Sequence, residues 1–188
     1  MMSMILVSRE IDNRTVFNIL AKPVRRWQFL LGKYLGLAMI IGANLVLITF
    51  VLIITVFIVT GELDLMLAFA GIMTMLEMLV LAAFATLFAV LTRPILGSLM
   101  TLAVYVVGHL SADLWLLTRQ LPGAFTKAVI SVVYYLLPNL ERFNFRTEVV
   151  HDLEIPVAAV GWTVVYAMAF VALVLVLANL RFRTRDLK

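Results

Sequence analysis

Long apolar stretches separated by short polar breaks dominate the pattern of residues along the chain. Four of them reach the roughly 20 residues that a membrane-spanning helix needs, and they cover residues 34–61, 65–92, 95–118 and 156–180. Arg93-Pro94 ends the second stretch, because proline is not tolerated inside a helix. The pattern therefore predicts an all-α fold, a polytopic membrane helix bundle with four full transmembrane helices.

Two further segments flank these stretches. Residues 9–33 fit two short helices broken at Pro23, which predicts an N-terminal cytoplasmic amphipathic helix. Residues 119–155 contain an apolar piece that is too short to cross, so we expect an outer re-entrant or interfacial helix there. The apolar octet 1–8 resembles the last two turns of another helix, and we expect further spans upstream in the natural protein or its homologues.

Composition supports a membrane location for all of residues 1–188, read as a single transmembrane domain. Of the 188 residues, 64% are hydrophobic and 14% are charged, and cysteine is absent. A soluble fold does not hide so much apolar surface, and the lack of cysteine excludes disulfides and thiolate metal sites. The net charge of +4 fits basic residues gathered on cytoplasmic loops, and we expect no nucleic-acid partner.

The distribution of Lys and Arg predicts the orientation. Six of them precede the first predicted span, Arg93 lies between the second and third, and four follow the last. The other four share their side of the membrane with most of the acidic loop residues. Basic residues favour the cytoplasmic side, so we expect a multi-pass protein of the plasma membrane with both termini in the cytoplasm.

Two carboxylates and one histidine lie inside the predicted spans, namely Glu77, Asp113 and His109. A carboxylate in a span marks a functional site or a polar contact between helices, and for Glu77 we favour a contact. The partners considered for it are Thr74, Thr86 and Asn44. His109 and Asp113 share a helix face; a pair that stabilises the outer end of the helix is favoured over a proton relay.

Several chemistries find no support in the sequence. The chain contains no G-x-x-x-x-G-K-[ST] loop, so it does not bind ATP by that route. It shows no Ser-His-Asp set, His-Glu-x-x-His helix or paired-carboxylate site. We therefore expect no enzyme, no cofactor and no metal site.

The segment before the first predicted span carries the strongest motif. It reads Arg9-Glu10-Ile11, Arg14-Thr15, Leu20-Ala21-Lys22-Pro23-Val24, Arg26, Phe29-Leu30 and Gly32-Lys33. Further matches are Glu77, Gly108-His109, Leu137-Pro138-Asn139-Leu140-Glu141 and Phe143-Asn144. In this order and spacing, the chain resembles the permeases of ABC-2 type transporters, in particular the branch related to the multicopper enzyme maturation permease. Such permeases usually have six spans, so the chain would hold the third to the sixth and the end of the second.

That resemblance implies a mechanism and partners. In the family, a short cytoplasmic helix of the permease docks into a groove on a separate ATP-binding-cassette ATPase subunit, and two permease subunits work together. The residues implied in coupling are Glu10, Arg14, Phe17, Leu20, Lys22, Pro23 and Arg26. Glu10 and Arg14 would orient the helix, Phe17 and Leu20 would fill the groove, and Pro23 would set the elbow.

Other functions fit parts of the pattern. On physical grounds alone, residues 9–33 fit a basic anchor that binds membrane lipids at the interface. They fit this role better than that of an element that docks onto a partner protein. A proton-coupled secondary carrier would use Glu77, His109 and Asp113. A non-transporting membrane assembly or anchor protein would fit the missing first spans. The resemblance favours the permease subunit. It does not identify the transported substrate.

Overall fold

The computed structural model describes residues 25–111, 130–132, 137–150 and 155–184. All regular structure in these ranges is helical, which confirms the all-α prediction for them. The elements are α1 (Arg26–Thr60), α2 (Met66–Leu91), α3 (Pro94–His109), a 3₁₀ helix (Leu140–Phe143), α4 (Arg146–Val150) and α5 (Val157–Thr184).

Three helices are long and apolar enough to cross a membrane, namely α1, α2 and the Val157–Phe182 part of α5. This length and composition indicate a membrane protein. Helix α3 has 16 residues and ends at His109, and the predicted third span, 95–118, continues from there into residues outside the described ranges. Helix α1 has 35 residues and is about 52 Å long at 1.5 Å per residue, which exceeds the roughly 30 Å of a bilayer core.

The helix ends follow local signals in the sequence. Helix α1 ends at Thr60 and is capped by Gly61, whose φ of 77° lies in the left-handed region that glycine adopts without strain. At the start of α2, the Met66 backbone N–H donates to Asp64 Oδ1 at 2.8 Å. Pro94 occupies the first turn of α3, where a missing N–H costs nothing. The predicted break at Arg93-Pro94 is therefore confirmed.

Helix α2 is the centre of the bundle and packs against α1, α3 and α5. Of the residues in its most apolar stretch, 56% are buried, against 6% for α1 and 17% for α5. Its buried core residues include Val80, Ala83 and Val90. Helix α1 presents most of its apolar surface outward, as a helix in lipid does.

Two close approaches between helices set the contact of α1 with α2. A Cβ on Gly71 would lie 2.5 Å from Thr49 Oγ1, so only glycine fits there. A Cβ on Gly42 would lie 3.2 Å from Met75 Cε. Small residues allow such close packing, which supplies much of the attraction between helices in lipid.

The start of α1 and the ends of α2 and α5 lie together at one end of the bundle. Leu30, Val90, Ala178 and Phe182 form a buried cluster there. The Phe29 and Phe182 rings stack with centroids 6.2 Å apart, and Arg26 Nη1 donates to the Phe182 carbonyl at 3.4 Å. We call this end the basic end, because Arg25, Arg26, Lys33, Arg93 and Arg181 lie at or near these helix termini.

Candidate functional site

Glu77 lies near the middle of α2 and is only 6% exposed. The helix around it is strongly apolar. Removing a carboxylate from water costs several kcal/mol unless polar groups surround it, so an acid at this position needs a polar environment supplied by neighbouring elements. The structure provides one on the side of α2 that faces α3.

His109, the last residue of α3, faces Glu77. Its Nε2 lies 3.5 Å from Glu77 Oε1, and its Nδ1 lies 3.2 Å from the Tyr105 carbonyl oxygen one turn earlier. The Tyr105 ring lies beside the imidazole, with centroids 4.5 Å apart. The His109 side chain is 29% exposed and that of Glu77 is 8% exposed, so the imidazole is the more accessible member of the pair.

A small polar pocket opens beside this pair. Its volume is about 110 Å³, and it is lined by Ala70, Thr74, Glu77, Tyr105, His109, Phe143, Asn144 and Phe145. A space of this size with polar walls accommodates a few water molecules. The pocket therefore surrounds the buried carboxylate with polar side chains from α2, α3 and the segment after residue 137.

The polypeptide after residue 137 covers the pocket. Phe145 packs edge-to-face on Phe69 of α2, with ring centroids 5.6 Å apart. The Asn144 side-chain N–H donates to Glu141 Oε1 at 2.8 Å, which holds the amide at the rim. The Asn139 backbone N–H donates to the Tyr166 hydroxyl at 2.8 Å, so α5 anchors the covering segment, residues 138–145.

Gly108 permits this cover to approach α3. A Cβ on Gly108 would lie 2.7 Å from Leu140 Cγ and 2.9 Å from the Pro138 carbonyl oxygen. Leu140 is fully buried and belongs to the main core together with Val80 and Val104. Two of the sequence motifs, Gly108-His109 and the Leu137–Glu141 run, are thus in direct contact.

The structure locates some of the polar partners considered for Glu77. Thr74, Thr86 and Asn44 each donate to a carbonyl four residues earlier in their own helix. Thr74 also lines the pocket. Among the described residues, His109 faces the carboxylate with an ionisable group. The sequence predicts a pair of His109 with Asp113 instead, and Asp113 lies outside the described residues.

The proposed coupling residues are mostly outside the described ranges. Glu10, Arg14, Phe17, Leu20, Lys22 and Pro23 lie there, so their roles stay predictions. Arg26 is described, and its guanidinium contacts the end of α5 at the basic end. Tyr105, Asn144 and Phe145 join the pocket although no role was assigned to them from sequence; the Phe143-Asn144 match was the available signal.

A second cavity, of about 270 Å³, lies between α1 and the first half of α2. Its lining is apolar apart from the Thr49 hydroxyl, and it includes Leu45, Ile53 and Met75. Such a lining does not orient a polar substrate. Within the described ranges, no group of three or more His, Cys, Asp or Glu residues is arranged to hold a metal ion.

Comparison with known proteins gives a family. Residues 3–188 match the model of a family described as Protein of unknown function (DUF2705). No curated protein and no solved structure matches the chain. Because the family match covers nearly the whole sequence, the chain belongs to the DUF2705 family.

Proposed function

We propose that this chain is a transmembrane permease subunit of an ATP-binding-cassette transporter. A separate ATPase subunit would hydrolyse ATP, and the permease would convert closure of the ATPase into substrate movement across the membrane. The proposal includes a second permease subunit and the four-span topology with cytoplasmic termini. Its starting point is the resemblance of residues 9–33 to the docking segment of ABC-2 type permeases.

The observation that carries the proposal is the unbroken course of α1. The helix begins at Arg26, inside the docking-like segment 9–33, and continues for 35 residues to Thr60. A continuous helix transmits a push at one end to the other, because its backbone hydrogen bonds resist bending. A displacement of the docking segment would therefore tilt α1 as a unit. Conformational switches in other proteins commonly work in this way, by moving rigid elements relative to each other.

The placement of charges at the two ends of the bundle supports the orientation. The basic end combines the start of α1 with the ends of α2 and α5. Glu62 and Asp64 lie in the turn between α1 and α2, at the opposite ends of these helices. Under the positive-inside rule, the basic end faces the cytoplasm, where an ATPase could reach it.

In the proposed topology, the third span, 95–118, would be an extension of α3. Its 16 described residues span about 24 Å, and the apolar sequence continues to residue 118. A helix over 95–118 would cross the bilayer core and would return the chain to the side of Glu62. The contact of Gly108 with Leu140 then joins this span to the outer segment, 119–155.

Co-purification tests the proposal. The full chain is expressed in its native membrane, extracted in mild detergent and compared with a Phe17→Asp, Leu20→Asp variant by mass spectrometry. We expect an ATPase with a Walker motif to co-purify with the wild type and to be lost from the variant. The matched control is Asn13→Asp, Asn18→Asp, which adds the same charge on polar positions and should retain the ATPase. Absence of an ATPase from wild type would remove the main support for a permease subunit.

A proton-coupled carrier is the second candidate, and the Glu77–His109 contact favours it. Such a carrier binds its coupling ion near the middle of the membrane. The two candidates differ in their energy source, which is ATP hydrolysis for the permease subunit and a proton gradient for the carrier. Transport that persists in vesicles without any ATPase, and that Glu77→Gln abolishes without unfolding the chain, would favour the carrier over the permease subunit.

A further inference from the structure

We propose that α1 pairs with α1 of a second copy of this chain, along an exposed stripe of the helix that contains Asn44. The contact is a parallel pair of helices inside the membrane. Where it identifies the second permease subunit, the inference rests on the proposed function; the interface itself is argued from α1 alone.

The α1 stripe runs along the outward side of the helix. Its members recur at alternating intervals of four and three residues, namely Ile40, Asn44, Leu47, Val51, Ile54 and Ile58. The five apolar members are each between 41% and 75% exposed. This spacing is the heptad pattern of a left-handed helix pair, a common geometry between membrane helices. The stripe is about 27 Å long, which is close to the roughly 30 Å of a bilayer core.

Asn44 is the polar member of the stripe, and its side chain is exposed. It lies deep in the uncharged part of α1, about 16 Å along the helix axis from Lys33 and about 24 Å from Thr60. At that depth an exposed side chain meets hydrocarbon, where a polar group without a hydrogen-bond partner is costly. A polar residue at such a position therefore favours contact with another helix over contact with lipid.

The hydrogen bonds of Asn44 are only partly used within its own helix. Its side-chain Nδ2–H donates to the Ile40 carbonyl oxygen at 2.8 Å. The amide has a second N–H and a carbonyl oxygen, and among the described residues neither of these groups finds a hydrogen-bond partner. One donor and one acceptor on the exposed amide are therefore available to a second helix.

A second copy of the chain supplies the matching groups at the matching depth. Copies of one chain insert with the same orientation, so the same residue lies at the same depth in both. A two-fold axis brings each residue on the interface to its own counterpart. Asn44 is complementary to itself, because Oδ1 of each amide accepts from the second N–H of the other. An asparagine at this heptad position also fixes the register of the two helices.

The rest of the bundle leaves the α1 stripe accessible. Within the most apolar stretch of α1, 6% of the residues are buried. The close approaches to α2 lie at Gly42 and Thr49, and the Tyr34 hydroxyl donates to the Leu79 carbonyl of α2. With about 3.6 residues per turn, Gly42 and Thr49 lie on a different side of the helix from the stripe. The second copy therefore adds to the bundle without displacing α2.

Disulfide cross-linking tests the interface on the full chain, because the sequence has no cysteine. A Leu47→Cys variant is reconstituted in phosphatidylcholine and phosphatidylglycerol bilayers and oxidised with copper phenanthroline, and we expect a cross-linked dimer. The matched control is Val46→Cys, at nearly the same depth and 66% exposed against 63% for Leu47, but on another side of the helix. It should stay monomeric. Equal yields at the two positions, or no dimer at Leu47→Cys, would overturn the proposal.

Energy transfer between copies labelled at the N-terminus measures the affinity as the protein is diluted in the same bilayers. Asn44→Leu should weaken the dimer about 5- to 30-fold, the effect of an interhelical hydrogen bond in a membrane. Asn44→Gln keeps the amide and should retain most of the affinity. A dimer as tight in Asn44→Leu as in the wild type would overturn the proposal.

Cross-linking in the native membrane separates a second copy from another partner. A Leu47→Cys cross-link to a different polypeptide there, with a monomeric wild type in pure bilayers, would assign the α1 stripe to that polypeptide and overturn the proposal. The bilayer measurements use the purified chain without an ATPase. A negative result therefore leaves the co-purification test of the permease unaffected, and the two proposals fail separately.

Discussion

Gly108 lies so close to Leu140 that a methyl group added to the glycine would approach Leu140 Cγ to 2.7 Å. This contact holds the covering segment, 138–145, against α3, directly beside His109. The glycine is therefore required by packing, and the neighbouring histidine depends on the same contact for its surroundings.

The first prediction concerns this contact. Gly108→Ala should lower the free energy of unfolding by about 1–3 kcal/mol, because the added methyl group overpacks a buried site. Thermal unfolding in detergent or bilayers checks it. Gly161→Ala on α5 is the matched control, since no atom of another residue outside the local helix backbone lies within 4 Å of a Cβ there, and it should be neutral or stabilising by up to about 1 kcal/mol. Equal effects from the two substitutions would contradict the role of the contact.

A second prediction concerns the coupling of the buried pair. His109→Ala removes the ring that faces Glu77 and should lower the free energy of unfolding by roughly 1–3 kcal/mol, the range for a buried polar group that loses a partner. In a Glu77→Gln background the same substitution should cost less, because a neutral amide is less costly to bury. Unfolding of the four proteins of this cycle gives the interaction energy. Additive effects would show that the two side chains do not interact.

The contact between α1 and α2 gives a third prediction. Gly71→Ala should destabilise the protein by about 1–3 kcal/mol, because its Cβ would lie 2.5 Å from Thr49 Oγ1. Thr49→Ala removes that oxygen and the adjacent methyl group, so the double variant should recover most of the loss. Failure of Thr49→Ala to rescue Gly71→Ala, measured by thermal unfolding, would rule out this steric cause.

The fourth prediction concerns the link between α5 and the cover. Tyr166→Phe removes the hydroxyl that accepts from the Asn139 N–H at 2.8 Å, at a cost of about 1 kcal/mol. Amide hydrogen exchange in residues 138–145 should become faster, since the cover loses an anchor. Tyr34→Phe is the control, because it removes a hydroxyl of α1 that donates to the Leu79 carbonyl oxygen of α2 rather than to the cover. Amide hydrogen exchange in the cover should stay unchanged in this variant.

The sequence was sufficient to predict the long helices but not the partner of Glu77. Apolar runs and breakers such as Gly61 and Pro94 act locally, so the course of α1 and α2 follows from composition and spacing. The start of the first helix was less well predicted, because the basic residues from Arg26 to Lys33 interrupt the apolar pattern while remaining helical.

The polar pocket was harder to predict because it depends on register between distant elements. Glu77 and His109 meet only once α3 packs antiparallel to α2 with a particular offset, which no local pattern specifies. Asn144 joins them through the fold of the covering segment. The pairing of His109 with Asp113 rested on helix periodicity alone, which identifies residues on one face but not the neighbour that the face meets.

The uneven burial of the helices has a mechanical consequence. Helix α2 is enclosed by α1, α3 and α5, so any displacement of it must carry three neighbours along. Helix α1 has only 6% of its most apolar stretch buried, and beyond Ile53 it extends past the cavity it forms with α2. The bundle is therefore fixed most firmly around α2, whereas the unbroken α1 meets fewer neighbours, so a lateral force on the molecule would tilt α1 as a whole before it moved α2.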